Sequence, residues 1–171
     1  EVTETSYKQT PDIDNVDDFR TMFKFIQEMI SNDQILAIHD ISDGGLITTL
    51  LEMCFTKKIG MKINLPSSSN TNEQLFSEES GFVIQIKKDC VSSIINTFTV
   101  KGLIARELGS LQDNNFSIFK GDTELFKKSI IELEQVWRET SHAMQCLRDN
   151  KEIADSELSL LDDKNFSGLM H

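Results

Sequence analysis

The residues best suited to chemistry stand close together in residues 37–46, which read Ala-Ile-His-Asp-Ile-Ser-Asp-Gly-Gly-Leu. Asp40 and Asp43 place two carboxylates in one short segment. Gly44 and Gly45 let the backbone approach a ligand closely, because they have no side chain. Mg²⁺ prefers oxygen ligands and is commonly held by one or two carboxylates together with phosphate oxygens. The segment therefore predicts a site for Mg²⁺ and a nucleotide.

Two secondary-structure elements must hold this segment, and the pattern predicts a strand before it and a helix after it. Residues 34–38 form a short apolar run, and apolar residues recur at helical spacing over residues 46–55. Ser42 and Asp43 are residue types that favour the N-cap of such a helix. A helix N-terminus presents unpaired N–H groups and a partial positive charge, which attract phosphate oxygens. A cation would relieve the repulsion between that phosphate and the two aspartates.

The same turn also has a purely structural interpretation. A Ser-Asp-Gly-Gly turn before an amphipathic helix is often only a capped helix, and capping explains Asp43 adequately. His39 either contacts a substrate or ends the strand, because nothing in the sequence fixes its surroundings. The local pattern leaves these alternatives open.

Length and charge exclude several classes of protein. The chain has 171 residues and a formal net charge of −11. The length fits one domain with one core. The charge argues against a nucleic-acid partner or an anionic membrane, since both require clustered Lys and Arg. No apolar run reaches the ~18 residues of a membrane span, and no signal peptide opens the chain. We expect a cytoplasmic protein.

The cysteines and the histidine near the end of the chain predict no site. Cys54, Cys90 and Cys146 are scattered without a Cys-x-x-Cys pair, so neither a disulfide framework nor a zinc site is indicated. His142 is expected to be a polar residue at a packing edge, because a metal or catalytic role needs partners within reach.

Hydrophobic spacing along the chain predicts an α+β fold, with a mixed or antiparallel sheet of about four to six strands and helices packed on it. The predicted elements are a helix from 17 to about 31, a strand at 35–38, a helix at 46–55, a strand at 60–65, a loop at 67–74, a strand at 82–86, a helix from 91 ended by Gly102, a hairpin of strands 104–111 and 115–120, and a helix at about 123–147.

Several longer segments resemble the phosphoribosylformylglycinamidine synthase family. Residues 39–46, followed by Leu51, Glu52 and Met53, are similar to a family motif of the form His-Asp-x-Ser-Asp-Gly-Gly-Leu. Further similar segments follow in the family's order, at residues 10–14, 75–81, 137–141 and 144–150. The set covers nearly the whole chain. It resembles the C-terminal AIR-synthase-type domain that precedes the glutaminase in the large single-chain form, and it implies that fold.

The resemblance also implies an activity and roles for individual residues. The complete enzymes of the family are ligases that use ATP, with Mg²⁺, to phosphorylate the amide oxygen of formylglycinamide ribonucleotide, and ammonia released from glutamine then gives the amidine of purine biosynthesis. ADP at a structural site is a second expectation. The implied roles are metal binding by Asp40 and Asp43, nucleotide binding by Ser42, Gly44 and Gly45, and substrate contact by His39 and Glu78.

The resemblance implies that the chain is one part of a longer polypeptide. Residues 1–16 would lead in from a preceding synthetase domain, 17–148 would form the domain itself, and 149–171 would be an acidic linker toward a glutaminase domain. The expected partners are those domains and small-molecule substrates, with no nucleic acid or membrane. We expect the isolated chain to be inactive.

Two other functions remain open. One is another ATP-using enzyme of the AIR-synthase superfamily, such as a thiamine monophosphate kinase or a selenophosphate synthetase, although residues 137–150 argue against it. The other is an assembly module with no usable site of its own. The sequence also leaves open whether the nucleotide site is catalytic or a structural pseudo-site.

Overall fold

The computed structural model describes residues 13, 15–67 and 70–160. The helices and strands in chain order are α1 Val16–Ser31, β1 Ala37–Asp40, α2 Gly45–Phe55, β2 Gly60–Leu65, α3 Thr71–Phe76, β3 Phe82–Gln85, α4 Val91–Val100, β4 Gly109–Gln112, β5 Asn115–Lys120, β6 Thr123–Ser129, α5 Ile130–Arg148 and α6 Lys151–Ser159. This content confirms the predicted α+β class. Most of the predicted lead-in, 1–16, lies outside the described residues, as do 161–171. The chain divides into two compact units, one of residues 1–50 and 70–107 and the other of residues 51–69 and 108–171.

The first unit contains a two-stranded antiparallel sheet and the helices that pack with it. β1 pairs with β3 so that Ala37 faces Gln85 and Asp40 faces Phe82. The core of this unit is a cluster of buried apolar side chains from α1, α4 and the residues after α4: Ile26, Met29, Ile94, Phe98 and Leu103. The burial of these side chains provides most of the driving force that holds the helices in place.

The second unit is built on a four-stranded sheet in the order β4-β2-β5-β6. β2 runs parallel to β5 and antiparallel to β4, and β5 and β6 are antiparallel. Ile63 of β2 and Phe116 of β5 are fully buried. α5 begins with a capping box in which Ser129 and Glu132 bind each other's backbone N–H groups. α6 follows after a short turn, and its Ala154 is buried.

Residues 151–159 lie in the segment that we predicted to be an acidic linker, and they form α6. Among the described residues, no helix combines the length and the apolar character that a membrane crossing requires.

The positions of three helices were predicted correctly. α1, α2 and α4 begin and end within a residue or two of the predicted positions, and Gly102 follows α4 with φ +76°, as expected for a glycine that ends a helix. The predicted strands at 60–65, 82–86 and 115–120 are also confirmed as β2, β3 and β5.

The predicted hairpin of strands 104–111 and 115–120 is wrong. β4 spans only Gly109–Gln112, and its partner is β2, which lies between β4 and β5. A Cβ on Gly109 would collide with the backbone of Lys62 in β2. Only a glycine therefore allows the two strands to approach this closely at that point.

Two further predictions failed on local structure. The predicted helix over 123–147 begins only at Ile130, because residues before it form β6, which pairs with β5 across a tight turn where Gly121 has φ +60°. The predicted loop at 67–74 is wrong for its second half, since α3 begins at Thr71. The Asn70 side chain accepts the Asn72 N–H at the start of α3, and Leu75 buries its side chain.

β1 lies two residues further along the chain than the strand that we predicted before the glycine turn. We predicted it at 35–38, and the structure places β1 at Ala37–Asp40. Pairing with β3 explains the shift, because His39 lies opposite Val83 and Asp40 lies opposite Phe82 within the ladder. His39 and Asp40 are therefore the last two residues of a strand rather than part of the turn.

Candidate functional site

The end of β1 fixes the backbone around Asp40. The hydroxyl of Thr49, a buried residue of α2, lies 3.1 Å from the carbonyl oxygen of Asp40 and 3.2 Å from that of Gly45, so both oxygens are within reach of its one hydrogen. This side chain ties the start of α2 to the end of the strand. The Asp40 side chain is 63% exposed, so its carboxylate remains accessible to a ligand.

His39 makes a local contact with the same residue. Its Nδ1 lies 2.8 Å from the backbone oxygen of Asp40 and 3.4 Å from Oδ1 of the Asp40 carboxylate. A carbonyl oxygen only accepts hydrogen bonds, so Nδ1 carries the hydrogen and donates it. The contact orients the imidazole ring beside the Asp40 carboxylate.

The turn between β1 and α2 depends on two glycines in the left-handed region. Gly44 has φ +82° and Gly45 has φ +72°. The Gly45 N–H donates to the carbonyl oxygen of Ser42 at 2.9 Å. A Cβ on Gly45 would lie 2.7 Å from the carbonyl carbon of Phe76 and 2.8 Å from the oxygen of Ser77. The turn therefore packs its backbone directly against the end of α3.

Glu78 binds the first of these glycines from the segment between α3 and β3. The Gly44 N–H donates to Oε1 of Glu78 at 2.9 Å. The prediction that Ser42 or Asp43 caps α2 is wrong, because the helix begins at Gly45 and the N–H just before it is bound by Glu78. A carboxylate at this position is stabilised by the partial positive charge of the helix N-terminus.

His39 and Asp40 also line an open groove beside β1. The groove has a volume of about 530 Å³, within the range of about 300–1,000 Å³ that small-molecule sites occupy. Its other lining residues are mostly apolar and come from α1, β1 and β3: Phe23, Ile26, Gln27, Ile30, Ile38 and Phe82. The structure thus brings His39 and Asp40 together on the groove. It also brings Glu78 into contact with Gly44 of the turn. Ser42 and Asp43 are exposed in the same turn.

The donor groups of the turn fit a hard cation in their chemistry. Asp40, Asp43 and Glu78 are exposed and offer only carboxylate oxygens, which suit Mg²⁺. Within the described residues these three groups do not converge as a three-ligand cluster. Mg²⁺ with a nucleotide needs only one or two protein carboxylates, because phosphate oxygens and water complete the shell. The Gly44 N–H already holds an anionic oxygen, so its orientation also fits a phosphate.

A second cluster, which was not predicted from the sequence, joins α5 and α6. His142 and Cys146 lie one helical turn apart on α5, and Asp155 faces them from α6. The signal in the sequence was the His-x-x-x-Cys spacing within a helix, but the carboxylate from α6 was not foreseen. By contrast, Cys54 is buried, and burial raises the pKa of its thiol to about 11, so it is a structural residue.

Comparisons with known proteins agree with this fold. Residues 2–122 match the family described as "AIR synthase related protein, C-terminal domain". Over 174 aligned residues the chain is 36% identical to phosphoribosylformylglycinamidine synthase of Schizosaccharomyces pombe, with 96% of this chain and 13% of that protein aligned.

Solved structures with a similar fold include Thermotoga maritima PurL. Its complex with ATP has a TM-score of 0.61 at 13% identity, over 65% of this chain and 20% of that chain. Its complex with FGAR has a TM-score of 0.60 at 14% identity, over 67% of this chain and 20% of that chain. At these identities the structural likeness shows the fold alone. The family match extends over more than half of the residues. The chain therefore belongs to the family of AIR-synthase-related C-terminal domains.

Proposed function

We propose that the chain is part of a phosphoribosylformylglycinamidine synthase and supplies part of its Mg²⁺–nucleotide site. The support is the 36% identity to the Schizosaccharomyces pombe enzyme and the fold shared with PurL, which has been solved with ATP, ADP and FGAR. The chain spans 13% of the length of that relative. The rest of the pocket, and the glutaminase, would come from other parts of the same polypeptide.

The observation that carries this proposal is the hydrogen bond from the Gly44 N–H to the Glu78 carboxylate. It supports the proposal because a backbone N–H at the start of a helix, in a turn formed by two glycines, already binds a negatively charged oxygen. A phosphate oxygen has the same charge and the same acceptor chemistry. Glu78 would release the Gly44 N–H when a nucleotide phosphate arrives.

The surrounding charge explains why a cation belongs to the proposed site. Asp40 at the end of β1, Asp43 in the turn, and Glu78 in contact with the turn are all exposed acidic residues. A bare triphosphate would be repelled by them. A bound Mg²⁺ would supply the opposing positive charge for the phosphate groups.

Each residue of the turn then has a role toward the nucleotide. Asp40 would hold Mg²⁺, because its carboxylate is exposed while its backbone is fixed by Thr49. Asp43 would be a second metal contact. Ser42, Gly44 and Gly45 would contact the nucleotide. In this proposal the domain of residues 17–148 is preceded by a lead-in and followed by a connection to the glutaminase, and the enzyme works in the cytoplasm.

His39 and the groove beside β1 are proposed as the substrate side of the site. The groove combines apolar walls with the imidazole of His39 and the carboxylate of Asp40. Formylglycinamide ribonucleotide would lie there with its amide turned toward the nucleotide. Positioning the two reactants in line is the main contribution that such a site makes to phosphoryl transfer.

The test is ammonia-dependent synthesis of formylglycinamidine ribonucleotide by the intact enzyme over a range of Mg²⁺ concentrations. We expect Asp40→Asn to lower the rate and raise the Mg²⁺ requirement by at least about tenfold, because the amide keeps the shape and removes the charge. Asp43→Ala should have a smaller effect. Glu79→Gln is the matched control, because it removes one exposed negative charge next to Glu78.

Two outcomes would contradict the proposal. The metal role of Asp40 is wrong if Asp40→Asn keeps the wild-type rate and Mg²⁺ dependence. The catalytic role is wrong if Asp40→Asn releases bound nucleotide and lowers thermal stability without changing the Mg²⁺ dependence of the rate, since that is the behaviour of a structural nucleotide site.

A further inference from the structure

We propose that His142, Cys146 and Asp155 form a Zn²⁺-binding site that joins α5 to α6. His142 and Cys146 are four residues apart on α5, so their side chains lie on the same face one turn apart. Asp155 comes from α6. The three ligand atoms lie within 4.8 Å of one another. None of these residues belongs to the turn proposed to bind the nucleotide.

The distances among the three atoms match the ligand shell of one tetrahedral ion. His142 Nε2 lies 3.0 Å from Asp155 Oδ1 and 3.4 Å from Cys146 Sγ, and Sγ lies 3.8 Å from Oδ1. Zinc bonds of about 2.0–2.3 Å at tetrahedral angles separate such ligand atoms by about 3.3–3.7 Å. An ion would therefore require shifts of only a few tenths of an ångström.

The arrangement differs from that of a catalytic cysteine. In a Cys–His–Asp triad the two partners occupy the two different ring nitrogens of the histidine, so that the carboxylate orients the ring while the other nitrogen takes the proton. Here Cys146 and Asp155 both face Nε2 of His142. The three ligand atoms lie close to one another, as the ligands of a single metal ion do.

The identity of the ligands selects the class of metal. A thiolate together with an imidazole suits Zn²⁺. These groups do not favour Mg²⁺, because Mg²⁺ prefers oxygen ligands. The thiolate of Cys146 and the carboxylate of Asp155 balance the charge of a divalent ion. Three protein ligands leave a fourth position for water. The side chain of His142 is 22% exposed and that of Asp155 is 51% exposed, so an ion can reach the site.

Neighbouring hydrogen bonds cap the start of α6 and join α6 to α5. The Asn150 side chain accepts the N–H groups of Glu152 and Ile153 at the start of α6. Gln145, next to Cys146, donates from Nε2 to Oε2 of Glu157 at 2.7 Å. The ligand set is therefore supported by a second connection between α5 and α6, and a bound ion would fasten α6 to α5.

The test is a titration of the reduced 171-residue chain with Co²⁺, followed by displacement with Zn²⁺. We expect one Co²⁺ per chain, a thiolate-to-metal charge-transfer band in the near ultraviolet, and the visible bands of tetrahedral cobalt. Zn²⁺ should remove all of these bands and raise the midpoint temperature of thermal unfolding, because the ion binds the folded state. Binding should weaken as the pH falls, since protons compete for the thiolate and the imidazole.

Matched variants assign the signal to this cluster. Cys146→Ser should abolish the charge-transfer band, whereas Cys90→Ser, which removes the other partly exposed thiol, should leave it unchanged. Asp155→Asn should keep the band and lower the Co²⁺ affinity at least about tenfold. Far-ultraviolet circular dichroism would establish that each variant retains its helices.

Three results would overturn the proposal. The first is a wild-type chain that shows no charge-transfer band at any Co²⁺ concentration. The second is a band that survives Cys146→Ser in a folded chain or disappears in Cys90→Ser. The third is an Asp155→Asn variant with wild-type affinity and an unchanged response of thermal unfolding to Zn²⁺.

Discussion

At the scale of single residues, the proposed nucleotide site depends on backbone geometry as much as on charged groups. Gly45 is the clearest example, because two separate constraints require a glycine there. Its φ of +72° lies in the left-handed region, and a Cβ would lie within 3.0 Å of backbone atoms of Leu75, Phe76 and Ser77. The turn can therefore bring a backbone N–H up to an anionic oxygen without a side chain in the way.

Replacing Gly45 should destabilise the fold more than replacing a glycine whose only constraint is a positive φ. We expect Gly45→Ala to lower the free energy of unfolding by more than about 3 kcal/mol, because the clash with fixed backbone adds to the strain of the left-handed conformation. Gly102→Ala is the matched control, since Gly102 has φ +76° and nothing within 4 Å of the added Cβ. It should cost about 1 kcal/mol. Urea unfolding of both variants measures the difference, and equal losses would mean that the packing against α3 is unimportant.

The sequence predicted the residues of the turn but only part of their contacts. His39, Asp40, Ser42 and the two glycines follow one another, so their proximity needs no fold. The bond between Gly44 and Glu78 joins residues 34 positions apart, and it depends on α3, most of which falls in the predicted loop at 67–74. The contact between His142 and Asp155 likewise depends on the turn between two helices.

At the scale of elements, hydrophobic spacing predicted the helices that bury one face. α1 and α4 supply the core of the first unit, so their apolar residues recur regularly. β6 escaped prediction because its residues from Thr123 to Lys128 are exposed and carry no alternating pattern. It is an edge strand, and its hydrogen bonds to β5 determine its conformation. Such pairing is not visible in the local sequence.

The capping box of α5 makes a testable contribution to stability. The Ser129 backbone N–H donates to the Glu132 carboxylate, and this bond lowers the pKa of Glu132 in the folded state. A carboxyl with a lowered pKa stabilises the fold above its unfolded-state pKa, and that contribution is lost as the pH falls through the folded-state pKa. The difference in unfolding free energy between the wild type and Glu132→Gln should therefore be present at neutral pH and shrink below about pH 4.5.

Urea unfolding at a series of pH values measures this difference. Glu139→Gln is the control, because Glu139 is an exposed glutamate on the same helix. It removes one negative charge from the helix without touching the capping box. A Glu132→Gln difference that is constant or grows on acidification would show that the charge of Glu132 does not act through the capping box.

At the scale of the whole molecule, the exposed apolar surface is consistent with a part of a larger polypeptide. On α5 the exposed fractions are 68% for Val136, 62% for Met144 and 89% for Leu147. Apolar side chains exposed together on one element are typical of a surface that another domain or subunit covers. The chain also spans only 13% of the length of its Schizosaccharomyces pombe relative.

The isolated chain should therefore self-associate through α5. We expect the sedimentation coefficient to rise with concentration, and the double variant Val136→Lys with Leu147→Lys to remove most of that rise. Val100→Lys is the control, because Val100 is 79% exposed at the end of α4. A wild-type monomer at all concentrations, or equal effects of the two sets of variants, would argue against an interaction surface on α5.

Localising the metal in the full-length synthetase that we propose tests the central claim most directly. Fe²⁺ would replace Mg²⁺ in the presence of ATP, and ascorbate with peroxide would then cut the backbone next to the bound ion. We predict cuts within residues 40–45 and next to Glu78 that require ATP and disappear in Asp40→Asn. Cleavage confined to other parts of the polypeptide, with residues 40–45 and 78 intact, would contradict the assignment of this turn to the nucleotide site.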